Sequence, residues 1–255
     1  MVEIKTDRAL DAMREAGRVV GEALATVRAS AAVGVTLREL DAVAREVLRA
    51  AGADSPFLGY RPGFAGTPFP AVICTSVNDA VVHGIPTDYR LRDGDLVSVD
   101  CGARLGGWTG DAAVSFIVGT PRPADLRMIE TAERALAAGI AAAVVGARIG
   151  DIAHAIGTVA RGAGYGLMEG FGGHGIGRAM HEDPHVPNDG CPGRGMRLRH
   201  GMALAIEPML QAGGRDQYRT APDGWTLCTA DGSRAAHVEH TVAITDAGPR
   251  ILTIR

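Results

Sequence analysis

A pair of helical segments followed by short β-like runs occurs twice in this chain, and that repetition constrains the fold more than any other feature. Residues 7–29 place Leu10, Met13, Gly17, Val20 and Leu24 at helical spacing. Thr36 then opens a second helix over about residues 37–51, with Glu39 at the capping-box position and Gly52 as its stop. Later, Ala124 to Ala143 is helical in character, and Asp151 reads as the N-cap of a helix carrying Ile152, Ile156 and Val159 on its apolar face. An offset of 112 residues lays Gly34 on Gly146, Leu40 on Ile152, Val47 on Val159, and Ala51-Gly52 on Ala163-Gly164. Chance similarity between two alanine-rich helices is the competing reading. We take the repeat as an internal duplication within one domain over 1–255, with halves of about 1–120 and 121–255.

Between the helices, Val72 to Val77, Leu96 to Cys101, Ala112 to Val118, Met202 to Ile206 and Val238 to Ile244 are β-branched or alternating, bounded by Gly, Pro or Asp. The class this predicts is α+β, with helices on one face of a curved, largely antiparallel sheet. A net charge of −3 gives no basic field, so direct nucleic-acid binding is not expected. Neither a signal-peptide-like start nor an apolar run long enough to span a bilayer is present. The four cysteines form no CxxC pair, as in a reducing compartment, and a cytoplasmic location is expected. Lys5 is the only lysine and lies in no motif, which removes Schiff-base and phosphate-loop chemistry; no serine sits in a GxSxG elbow.

Chemistry concentrates in Val97-Ser98-Val99-Asp100-Cys101-Gly102 and Gly106-Gly107-Trp108-Thr109-Gly110-Asp111. With Leu105-Gly106 as the turn of a hairpin, Asp100 stands opposite Asp111. Carboxylates about 5 Å apart repel by roughly 3 kcal/mol at an effective dielectric near 20, so a divalent cation is their natural partner. The competing reading leaves one Asp capping a turn and the other in solvent. His174 lies among glycines that let backbone approach an ion or substrate, while Glu207 and Glu239 sit in apolar strands where acids are costly unless paired or coordinated. Two Asp, one His and two Glu suit two neighbouring divalent ions. His181-Glu182-Asp183-Pro184-His185 matches HExxH, but Pro184 denies it the helix that motif requires.

Together, Asn78 to Pro86, Asp100 with Asp111, Gly173 to Arg178 with His181 to Pro184, Ile206-Glu207-Pro208 and Glu239-His240-Thr241 resemble the type I methionine aminopeptidases of the pita-bread fold. The motifs fall in family order from about residue 8 to 245. The resemblance implies two divalent metal ions (Co, Mn, Fe or Zn), with Asp100 on one, His174 and Glu207 on the other, and Asp111 and Glu239 bridging. It makes His83 and His181 catalytic, substrate-contacting histidines and Glu207 a proton acceptor. Tyr60, Cys74, Met180 and Trp225 match the methionine pocket, while His154, His185, His200, His237 and His240 receive no role.

The chain departs from the family pattern at Phe57, where Cys is common, and in a longer Pro/Gly-rich stretch from Arg61 to Ala71 that includes Phe64. The implied activity is removal of initiator methionine from nascent chains, with a small second residue preferred, by a monomer meeting its substrate in the cytoplasm or at the ribosome. Two other readings remain at this point. One is a proline-specific aminopeptidase or dipeptidase of the same fold, and the other a non-catalytic binding module.

Overall fold

The computed structural model describes residues 2–63 and 65–255, so Phe64 lies outside the described residues. Helices α1 (Asp7–Ser30) and α2 (Leu37–Ala50) form one pair, α3 (Pro123–Ala142) and α4 (Ile149–Gly162) the other. The repeat extends to backbone detail. Gly34 and Gly146 both have φ of +92°, and their N–H groups donate to Leu91 O and Leu198 O at 2.8 and 3.0 Å. Glu39 accepts from the Thr36 N–H at 2.7 Å, and Asp151 accepts from the Arg148 N–H at 2.7 Å. Asp151 is therefore not the N-cap expected from sequence. Arg148 occupies that position, and the carboxylate reaches back to it from the third helical residue.

In chain order the strands are β1 (Ile73–Val77), β2 (Ala80–Val82), β3 (Asp95–Leu105), β4 (Trp108–Val118), β5 (Gly166–Leu167), β6 (Gly172–Gly175) and β7 (Glu182–Pro187). The remainder are β8 (Ala203–Ile206), β9 (Met209–Gln211), β10 (Tyr218–Thr220), β11 (Leu227–Thr229), β12 (Ala235–His237), β13 (Glu239–Thr245) and β14 (Gly248–Ile251). The main sheet runs β1-β3-β4-β13-β8-β6-β7, with β14 also on β13. Its seam is the β4–β13 pairing, which joins the halves. Three-stranded sheets β10-β11-β2 and β12-β9-β5 flank it. This is the arrangement the resemblance implies.

Strand alternation separates the core from the site. Val97, Val99 and Cys101 of β3 pack with Val20, Leu24, Leu40 and Leu48 of the first helix pair, which leaves Ser98 and Asp100 on the opposite face. The second pair buries Met128, Leu136, Ile152 and Ile156 against Leu204, Ile206 and Val242. Each such side chain contributes about 1.5–3 kcal/mol of burial free energy. Helix α1 lies so close to β4 that a Cβ on Gly110 would stand 2.9 Å from Gly17 Cα.

The hairpin register differs from the sequence expectation. The turn is Gly106-Gly107, Leu105 pairs with Trp108, Asp100 pairs with Ala113, and Asp111 pairs with Gly102. Asp100 and Asp111 are diagonal neighbours rather than opposed. A displacement of two residues preserves the face, so both still project to the same side.

Candidate metal centre and substrate pocket

Five neighbouring strand positions send one side chain each into a cavity of about 390 Å³: Asp100 from β3, Asp111 from β4, Glu239 from β13, Glu207 at the end of β8, and His174 from β6. Register aligns them. Asp100 and Glu239 both pair with Ala113, whose small side chain leaves space between them. His174 pairs with Ala205, two residues before Glu207 and on its face.

His174 Nε2 lies 3.9 Å from Asp111 Oδ2 and 3.7 Å from Glu207 Oε1. Its Nδ1 lies 2.9 Å from the Gly175 carbonyl, which can only accept. Nδ1 therefore carries the proton and Nε2 presents a lone pair to the carboxylates, the tautomer a ligand needs. Thr241 fixes β4 beside it, its hydroxyl accepting from Asp111 N at 2.9 Å and donating to Asp111 O at 2.7 Å. Asn188 donates to Glu207 O at 3.0 Å.

Asp100 Oδ1, Asp111 Oδ1 and Glu239 Oε1 are buried without a hydrogen-bond partner. Burial first, and the neighbouring carboxylates second, push the Asp100, Glu207 and Glu239 carboxyls well above the usual range. Burial raises Asp111 to about 7 against a hydrogen bond from Asp100 that lowers it. Four carboxyl groups at this depth cannot all ionise unless cations stand among them. The donor set fits divalent ions, being oxygen-rich with one imidazole, and the atoms offered by Asp111, His174 and Glu239 all lie within 4.8 Å of one another.

His83 follows β2 directly at φ +61°, a left-handed conformation rare outside glycine. Burial, with a smaller contribution from His181, lowers its pKa to about 4. His181 stands more exposed at the rim, its ring 4.4 Å from that of His174 and 5.3 Å from that of Tyr60. Desolvation also lowers the His181 pKa. Behind them Cys74, Met180 and Trp225 form an apolar cluster with Phe57 and Phe69. Phe69 comes from the long Pro/Gly-rich stretch, which folds onto the pocket through a Trp225 Nε1–H bond to Thr67 O at 3.0 Å.

Two features correct the sequence reading. The glycines beside His174 serve strand contact: a Cβ on Gly173 would meet Ala205 O at 2.0 Å, and one on Gly175 would meet Asp183 O at 2.0 Å. His237, given no role from sequence, is buried against the acidic cluster, with Nε2 3.4 Å from Glu207 Oε2 and 3.7 Å from Glu239 Oε2. Its position two residues before Glu239 was the available signal, since strand alternation puts both on one face. Phe69 had no comparable signal. His185 lies on β7 as the register partner of His174, so the HExxH stretch is a strand and not a helix. His200 and His240 bond to Asp7 and Thr253 away from the cavity, and His154 is exposed on α4.

Residues 11–246 match the model of metallopeptidase family M24. The chain belongs to family M24. Within that family it sits with the methionine aminopeptidases: it is 54% identical to methionine aminopeptidase 1 of Mycobacterium tuberculosis, over 96% of this chain and 92% of that one. It is 46% identical to methionine aminopeptidase of Clostridium acetobutylicum, over 100% and 99%. The crystal structure of methionine aminopeptidase from Thermotoga maritima superposes with a TM-score of 0.95 at 39% identity, covering 100% of both chains. Prolidase from Pyrococcus furiosus, 22% identical with a TM-score of 0.77, shares the fold and is covered over 65% of its length. This M24 metallopeptidase thus has the pita-bread fold. Among its described residues no helix is long and apolar enough to cross a membrane.

Proposed function

We propose that this M24 metallopeptidase removes N-terminal methionine from nascent polypeptides in the cytoplasm, as a monomer acting on chains at or near the ribosome, through a centre of two divalent ions. The observation that carries this reading is one cavity lined both by the acidic donors and by the apolar Cys74, Met180 and Trp225, with Cys74 the register partner of Asp100. Asp100 would hold one ion, His174 and Glu207 the other, with Asp111 and Glu239 shared between them. Which metal serves, among Co, Mn, Fe and Zn, depends on availability. Ions held there would polarise the scissile carbonyl and acidify a shared water.

The side chains supply the rest. Glu207 accepts the proton released on attack and passes it to the leaving amine. His181, neutral at pH 7 and at the rim, donates an N–H to the developing oxyanion. His83, also neutral, meets the amide nitrogen beside the break. Tyr60, its ring 5.3 Å from that of His181, lines the methionine pocket at its rim, and a small second residue is preferred. Recognition of the free α-amine at the acidic end confines cleavage to the terminus and excludes a formylated one. Methionine fills the pocket through its flexible, polarizable thioether against Trp225, Met180 and Cys74.

Hydrolysis of Met-Ala-Ser, with Xaa-Pro peptides as the comparison, tests substrate class. For the mechanism, His181→Ala should lower turnover by about 10²–10³-fold while metal content stays at the wild-type level. Loss of metal would instead make His181 a ligand and overturn the assignment.

A further inference from the structure

Lys5, the only lysine in the chain, is 3% exposed. A buried ammonium is costly unless paired, and Lys5 Nζ lies 2.7 Å from Glu182 Oε2. The other oxygen of that carboxylate accepts the backbone N–H groups of Arg178 and Ala179 at 2.9 and 3.1 Å. One side chain thereby closes the turn from 178 to 182, and that turn carries Met180 and His181. Its opposite side is tied to β4, where Thr109 N donates to Gly177 O at 2.8 Å, two residues before Asp111.

Two glycines admit the lysine. A Cβ on Gly177 would stand 2.5 Å from Lys5 Cε, and one on Gly201 would stand 2.4 Å from Lys5 O. The backbone is also held, with Lys5 N donating to Gly201 O at 2.7 Å. The segment before α1 therefore lies against Gly177 and Gly201 of the second half, and places its one ammonium on the carboxylate that shapes the turn.

We propose that Lys5 is a positioning residue for His181, holding Glu182 so that the turn presents the imidazole at the cavity rim. This rests on the role given to His181 above. Without the ammonium, Glu182 loses its charge partner, the turn relaxes, and the imidazole loses its fixed distance to the reacting carbonyl.

The test is a double-mutant cycle on the metal-loaded full chain with Met-Ala-Ser, using Lys5→Met, His181→Ala and both together. Lys5→Met should lower kcat roughly 10- to 100-fold, the effect of a displaced catalytic group, with bound metal unchanged. The double variant should be no slower than His181→Ala alone, because both changes remove the same contribution. Losses that multiply, or Lys5→Met turnover within twofold of wild type, would overturn the proposal. Should Lys5→Met fail to fold, Glu182→Gln breaks the same ion pair from the other side and enters the same cycle. If His181→Ala itself retains full turnover, the role assigned to His181 fails and this inference falls with it, an outcome distinct from multiplicative losses.

Discussion

His174 and His185 are register partners across β6 and β7, but of these two it is His174 whose ring nitrogen lies within 4 Å of Asp111 and Glu207. His185→Ala should keep turnover within a few-fold, and His174→Ala should not, since only the second removes a lone pair from the acidic cluster. Equal losses in peptide hydrolysis would reopen the zincin reading. His83 has a pH signature. Its folded pKa of about 4 lies below the unfolded value of about 6.5. As pH falls the unfolded chain takes up the proton first, so this contribution is present above 6.5 and is lost as pH falls through 4. Urea titrations at pH 7 and pH 5 should show wild type losing up to about 2 kcal/mol more than His83→Ala. Equal losses in both proteins would contradict the lowered pKa.

At the scale of single elements, the β3–β4 hairpin shows what sequence made legible. Alternation put Asp100 and Asp111 on one face, and that conclusion survives because facing depends only on parity. The turn itself was misplaced by one residue. Gly106 and Gly107 have φ of +59° and +79°, and a tight hairpin with positive φ at both central residues takes glycine twice, which Leu105 cannot provide. Asp151 was misassigned for a similar reason, since one acidic residue near a helix start serves equally as cap or as third residue until the backbone is seen. Contact between elements is testable at Gly110, where an added methyl meets the α1 backbone at Gly17. Gly110→Ala should cost about 1–3 kcal/mol of stability by chemical denaturation, the usual penalty for overpacking. A change below about 0.5 kcal/mol would mean that α1 moves away freely.

For the molecule as a whole, the duplication was legible because helix pairs carry a 3.6-residue period, and Gly34 and Gly146, which that offset aligned, make equivalent bonds to Leu91 and Leu198 although the spacing to the acceptor differs between the halves. Two long-range features were not legible. The Lys5 contact with Glu182 and the Phe69 contact with Trp225 at 5.1 Å arise from tertiary packing that leaves no local pattern. The central claim is that both halves together supply one dinuclear site, Asp100 and Asp111 from the first, His174, Glu207 and Glu239 from the second. Its most direct test counts bound metal and measures Met-Ala-Ser turnover in wild type, Asp111→Asn and Glu239→Gln. Wild type should hold two ions, and either variant should lose metal and activity together, because each removes a charge shared between two cations. Two ions retained with normal turnover in either variant would contradict the account.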